Sequence, residues 1–331
     1  MKKLDESTKY GVDPYTRNFG AGNIVKALGN KYGQRYFQYR KNWDKAGQNW
    51  IPDYPLNLVF DLVDQCNLAC PQCLRARDLI KDYDGYIGTS KYLDKKTIFK
   101  ILDESKKYNL PSINIGGSGE CTLHPDFIEI CERIMKIDPC ELRIISNGIR
   151  LKDDIAKAMI DLGVHMISVS IDGFSPETFA ASRGKAHRYN DVVENTINFA
   201  KLKKKMKAKW PLLRVSFVEQ ESNKHEREDF VKFWSKYADM IDVQIYHDFR
   251  KKDNFIDFEC FEPFKRLTIW AYGGAGPCCG FPGIKYNVGN FANRSIFDIW
   301  HGKEIKRIRK MMITKDYELP CLQCQGSRTV L

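Results

Sequence analysis

The chain lacks any apolar run close to the roughly 18 residues that a membrane-spanning helix needs. Its start, MKKLDESTKYGV, is basic but has no apolar stretch behind it, so the pattern of an export signal is missing too. Internal repeats and low-complexity tracts are absent, and so are the familiar nucleic-acid-binding motifs. What is present suits a soluble globular protein in the cytoplasm: 43% apolar and 29% charged residues over 331 positions, enough for one large domain or two ordinary ones.

Cysteine is plentiful instead. Eleven cysteines in a chain without an export pattern, and an odd number of them, argue against a disulfide framework and for metal or redox chemistry. Lys and Arg exceed Asp and Glu by 53 to 42, a formal charge of +11, which suits a small polar or anionic substrate better than a nucleic acid. The densest basic run, KLKKKMKAKW (201–210), reads as a solvated helix end, where lysines oppose the dipole.

Strands and helices alternate. NLVFDLV (57–63), SINIG (112–116), LRIIS (142–146), MISVSI (166–171), LRVSFV (213–218) and DVQIYH (242–247) read as short buried strands. Between them, Ile98, Ile101 and Leu102, and later Phe230, Phe233, Trp234 and Tyr237, fall on single helix faces. Ser175 before Pro176 makes a cap and first-turn pair. Six strands joined by helical crossovers imply a parallel sheet, an open doubly wound one or a partly closed barrel, with ligands at the strand C-termini. There the chain places its cysteine triplet, then GGSGE (116–120), SNG (146–148), Ser170 with Asp172, and His247, Asp248 and Arg250. Residues 1–50 read as an N-terminal extension, 51–250 as the main α/β domain, and 251–331 as a small metal-stapled appendage.

The triplet is Cys66, Cys70 and Cys73 in the spacing CxxxCxxC. Tetrahedral zinc wants four ligands, and the nearest histidine, His124, lies in a different loop. An iron–sulfur cubane can take three irons from thiolates and leave the fourth open. A cluster, zinc with a distant fourth ligand, or coincidence all remain possible on spacing alone.

The motif CNLACPQC (66–73) resembles the signature of radical S-adenosylmethionine (radical SAM) enzymes, and GGSGE, SNG, VSIDG and Arg183–Gly184 resemble that family's later motifs in order. Two positions depart from it: Gln72 stands where an aromatic residue is common, and Cys121 where proline often follows the glutamate. The resemblance implies an α/β fold, a partial (β/α)6 TIM-like barrel with a small C-terminal iron–sulfur appendage. It implies a 4Fe–4S cluster on Cys66, Cys70 and Cys73 whose open iron binds S-adenosylmethionine, reductive cleavage to a 5′-deoxyadenosyl radical, and hydrogen abstraction from a carbon. It assigns Gly116, Gly117, Gly119 and Glu120 to the methionine end of that cofactor. Ser146, Asn147, Ser170, Asp172 and Arg183 fall to its ribose and carboxylate. An electron donor such as flavodoxin or ferredoxin follows as a partner.

Further on, Cys260, Cys278, Cys321 and Cys324 read as a four-thiolate site for zinc or iron. The text around them resembles the SPASM and twitch appendages of the same family. With the sequence ending at Leu331, seven residues past Cys324, room for one auxiliary 4Fe–4S cluster is expected, a twitch domain, which makes two clusters in all. Cys278 is the expected ligand, and its neighbour Cys279 is then spare, a catalytic hydrogen donor or a packing thiol. Cys131 and Cys140 read as packing. The expected reaction is oxidation or epimerisation of a sugar-like or nucleotide-linked small molecule, held by His247, Asp248 and Arg250. Modification of a ribosomal peptide, or a non-catalytic iron–sulfur or zinc protein, are the alternatives.

Overall fold

The computed structural model describes residues 16–19, 23–73, 92–246 and 259–326. Its strands in chain order are β1 (Thr16–Phe19), β2 (Asn57–Phe60), β3 (Ser112–Ile115), β4 (Glu141–Ser146), β5 (Met166–Ser170), β6 (Leu212–Glu219), β7 (Met240–Ile245), β8 (Arg266–Ile269), β9 (Gly274–Gly276) and β10 (Gly289–Asn290). All six strands expected from the sequence are there. Two compact units divide the chain: one gathers the residues before Asn42 with Arg143–Tyr246, the other Asn42–Leu142 with the residues after 258.

In the first unit, β4, β5, β6 and β7 pair in parallel, and β1 closes the edge antiparallel to β7, with Thr16 opposite Gln244. These central strands are near-continuous apolar runs; Ile144, Ile167, Val169, Val215, Phe217 and Ile241 are buried, as expected of parallel strands covered on both faces. The helix Arg227–Trp234 forms because Phe230 and Trp234 share one face, and both are buried. The ring of Phe230 lies 4.8 Å from that of Phe217 on β6. Ser175 and Thr178 complete a reciprocal capping box at the helix Pro176–Arg183. The lysine run does end a helix, Tyr189–Lys205, where Lys203 bonds Asp239 at 2.6 Å. The N-terminal residues, with no legible role in the sequence, supply β1 and the helix Ile24–Tyr32.

In the second unit, β2 lies between two parallel neighbours. Asn57 faces Ser112 of β3 and Arg266 of β8, and β9 and β10 continue antiparallel from there. The stretch RLTI was not read as a strand in the sequence, because four residues between turn signals carry too little periodicity. Its side chains Leu267, Thr268 and Ile269 are nevertheless buried. Strand β2 stops at Phe60, short of the expected Val63, because the next residue, Asp61, turns its carboxylate into a loop. Cys131 and Cys140 are fully buried packing residues. No helix among the described residues is long and apolar enough to cross a membrane.

Candidate functional site

In the second unit the cysteine loop and the glycine loop are fastened to each other. The Asp61 carboxylate, 3% exposed, accepts from the amides of Ser118 at 3.2 Å and Gly119 at 3.3 Å, and also from the Ser118 hydroxyl. The Glu120 amide donates to the carbonyl of Gln65, the residue before Cys66, at 2.9 Å, and Gly116 N–H to Phe60 O at 3.0 Å. Gly117 lies directly over the Asp61 side chain. At Gly119 the approach is so close that a Cβ would stand 1.8 Å from the Val63 carbonyl oxygen, so only glycine fits. Tyr272, in the turn after β8, sits in the field of the same carboxylate; burial and Asp61 together push its hydroxyl up to about 12.

Glu120 is buried and fixed. Its Oε1 accepts from Thr122 N at 3.2 Å and Thr122 Oγ1 at 2.6 Å. Cys121 is buried, and burial followed by the charge of Glu120 raises its thiol well above the usual range, so it stays a neutral packing group. Cys66 is exposed, and Cys70 and Cys73 are half-buried, none of them in a disulfide. Leu68 N–H approaches Cys66 Sγ at 3.5 Å, and Cys73 N–H closes a turn onto Cys70 O at 3.0 Å. His124 is not a distant fourth ligand: Asp126 N–H donates to its Nδ1 at 3.1 Å, which leaves Nε2–H to donate to Leu93 O at 2.9 Å. Gln72, in the turn, is half-buried.

Cys260, Cys278, Cys321 and Cys324, also in this unit, are half-buried and outside any disulfide. The Cys278 thiol is pushed well up by burial and by repulsion from Cys279, Cys260 and Cys324. Cys321 rises to about 12 through burial, opposed by a hydrogen bond from Tyr286, with Cys324 repelling it. The thiols therefore stand within electrostatic reach of one another. The Cys278 carbonyl accepts from Thr268 Oγ1 at 2.9 Å, and a Cβ on Gly283 would meet that carbonyl at 2.1 Å. Cys279 is exposed and takes a hydrogen bond from Arg266 Nη1 at 3.4 Å. Among the described residues no three His, Cys, Asp or Glu stand close enough to grip one metal ion. A cubane, which spreads its thiolates over separate irons, makes no such demand. The donor set is all thiol, with Cys321 and Cys324 on the helix Leu319–Gly326, and it fits iron–sulfur clusters.

In the first unit, the polar strand-end residues mainly hold backbone. Ser146 Oγ accepts from Gly148 N–H and Asn147 Oδ1 from Ile149 N–H, each at 3.1 Å. Asp172, at φ +59°, accepts from Val218 N–H at 2.9 Å and pairs with Arg183; burial still raises its carboxyl above the usual value against the Arg183 charge. Ser170 Oγ lies 3.4 Å from Ser216 Oγ. His247, Asp248 and Arg250 lie outside the described residues. Asp61 was missed in the sequence reading, since an aspartate inside an expected strand gives no signal of the loop it will bind.

Residues 61–216 match the radical SAM superfamily, and residues 260–325 match the SPASM iron–sulfur cluster-binding domain. A probable GTP 3′,8-cyclase of Methanocaldococcus jannaschii is 28% identical over 177 residues, 54% of each chain. Matched stretches cover 30% to 54% of the lengths of this and other curated relatives. Among solved structures, BtrN in complex with AdoMet and 2-DOIA matches at TM-score 0.53 and 16% identity, over 83% of this chain and 98% of that one. Streptococcus suis SuiB bound to precursor peptide SuiA matches at 0.59 and 15%, over 83% and 71%. These likenesses give the fold: α/β, a partial (β/α)6 TIM-like barrel with a C-terminal iron–sulfur appendage. The first domain binds S-adenosylmethionine and a 4Fe–4S cluster, the second auxiliary iron–sulfur clusters.

Proposed function

From a radical SAM superfamily member that carries a SPASM iron–sulfur domain behind its barrel, we propose an enzyme that abstracts hydrogen from a carbon of a polar small molecule, sugar-like or nucleotide-linked, to oxidise or epimerise it. The observation that carries the reading is the fastening of GGSGE to the cysteine loop through Asp61 and Gln65. It supports a site in which a thiolate-bound cluster and the methionine end of S-adenosylmethionine lie side by side.

In this reading Cys66, Cys70 and Cys73 hold the SAM-binding 4Fe–4S cluster, and Cys260, Cys278, Cys321 and Cys324 a single auxiliary one. When bound, the cofactor pair supplies a carbon radical able to take hydrogen from an unactivated position. The protein's own part is placement. Glu120, its carboxylate already fixed by Thr122, accepts from the cofactor's ammonium, and Gly116, Gly117 and Gly119 let the backbone approach its methionine end closely. Ser146, Asn147, Ser170, Asp172 and Arg183 serve its ribose and carboxylate, and His247, Asp248 and Arg250 the substrate. Cys279, held by Arg266, is assigned no step. The parts of the chain are 1–50, an extension; 51–250, the radical SAM barrel; and 251–331, the auxiliary cluster domain. A cytoplasmic setting and a flavodoxin- or ferredoxin-type donor belong to the proposal.

The nucleotide-acting relative and the BtrN complex, whose chain is covered almost entirely, support a small substrate. A second reading, modification of a peptide, has the SuiB–SuiA complex in its favour. Anaerobically reconstituted protein given dithionite and S-adenosylmethionine should release 5′-deoxyadenosine, and Cys66→Ala should abolish the release. Iron-loaded protein that forms none would sink both enzyme readings. Deuterium transfer into 5′-deoxyadenosine from labelled sugars, nucleotides or peptides then separates the two.

A further inference from the structure

The helix Lys303–Thr314 turns one face, Lys306, Arg309, Lys310 and Ile313, toward a cavity of ≈330 Å3. The spacings of three, four and seven align these residues along one side. The rest of the lining is Ile51, Pro52 and Asp53, the segment leading toward β2, with His301. That segment is pinned in place: Trp300 Nε1 donates to Pro52 O at 2.7 Å, and the His301 ring Nε2 lies 2.9 Å from Asp53 O. The volume falls at the small end of the range for ligand pockets, roughly 300–1,000 Å3.

The charge here is unbalanced. Arg309 is 4% exposed, and a buried guanidinium ordinarily faces a carboxylate. This one donates from Nε to Pro263 O and from Nη1 to Trp300 O, each at 2.9 Å, and lies 3.9 Å over the Trp300 ring. Its Nη2 is buried with no hydrogen-bond partner among the described residues. Burial pulls the group down to about 10, the direction expected of a cation without a counter-ion. Lys306 and Lys310 are exposed on the same face, with no ion pair among the described residues. Against these cations and His301 the lining holds one acid, Asp53. Two of its apolar members, Ile313 and Ile51, are 67% and 44% exposed.

We propose that this cavity binds a carboxylate carried on an aliphatic stem, the anion held by Lys306 and Lys310 in the positive field to which the buried Arg309 adds, and the stem resting on Ile51, Pro52 and Ile313. A bare phosphate would satisfy the cations but leave the isoleucines wet, and a neutral alcohol would do the reverse. The assignment does not rest on the radical SAM reading, because none of its residues is a cluster or cofactor ligand there.

Calorimetric titration of the cluster-loaded protein with hexanoate tests it, with hexanol and inorganic phosphate as comparison probes. Saturable one-to-one hexanoate binding is expected, with both comparison probes at least about tenfold weaker. Lys306→Ala/Lys310→Ala should weaken hexanoate about tenfold and Ile313→Ser about fivefold. These are exposed positions, so the melting temperature should hold. Absence of saturable hexanoate binding, equal binding of hexanol or phosphate, or unchanged affinity in the folded double variant would each overturn the proposal.

Discussion

At the scale of single residues, Asp61 and Gly119 decide how the cofactor loop sits. The Asp61 carboxylate, 3% exposed, accepts several donors at once, and the loop takes its shape from those donors. Gly119→Ala puts a methyl 1.8 Å from Val63 O and 2.8 Å from Gln65 O. Both are backbone atoms that cannot swing aside. The expected result is a loss of S-adenosylmethionine affinity of more than about tenfold, read by equilibrium dialysis, with the iron content on Cys66, Cys70 and Cys73 retained. The GGSGE motif was legible in the sequence, but not its anchor. A lone aspartate within an apolar run has no periodic signature, and its partners lie 57 and 58 positions away.

At the scale of elements, β5 is tied at its start to the helix Ile24–Tyr32 through His165. The ring is fully buried, with Tyr32 Oη 2.8 Å and Lys31 Nζ 3.1 Å from its Nε2. Burial first, and the Lys31 charge second, push it down to about 3 from an ordinary 6.5. The unfolded chain therefore takes up this proton near pH 6.5 while the folded protein refuses it until about pH 3. Stability from this site is complete above pH 6.5. It falls as the pH drops through the interval, by up to about 1.4 kcal/mol per unit. Denaturant midpoints measured between pH 7.5 and 5 should decline, and His165→Gln should flatten that decline. The six parallel strands and the helices around them were legible, because burial on both faces writes apolar runs and one-sided burial writes the helical period. Strand β8 was not: its burial comes from pairing with β2, some 209 positions earlier by the Asn57–Arg266 register.

At the scale of the whole molecule, both sets of cysteines belong to the same compact unit, although they stand far apart in the chain. On the proposed reading they load separately. Iron and sulfide assays of anaerobically reconstituted protein should find about eight irons per chain, and Cys321→Ala/Cys324→Ala about four. Four irons with one zinc in the unmodified protein would make the appendage a structural staple instead.

The sequence by itself determined the parallel α/β order, the triplet of thiols with room for an open iron, and the polar motifs at the strand ends. Each is written in neighbouring residues, where local periodicity and ligand spacing are visible. Only the tertiary structure decided that Asp61 holds the glycine loop, that β8 flanks β2, and that Ile51 and Ile313 share a cavity with the buried guanidinium of Arg309. Those facts depend on which distant segments exclude water from one another, and burial between segments leaves no mark on the local order of residues in either.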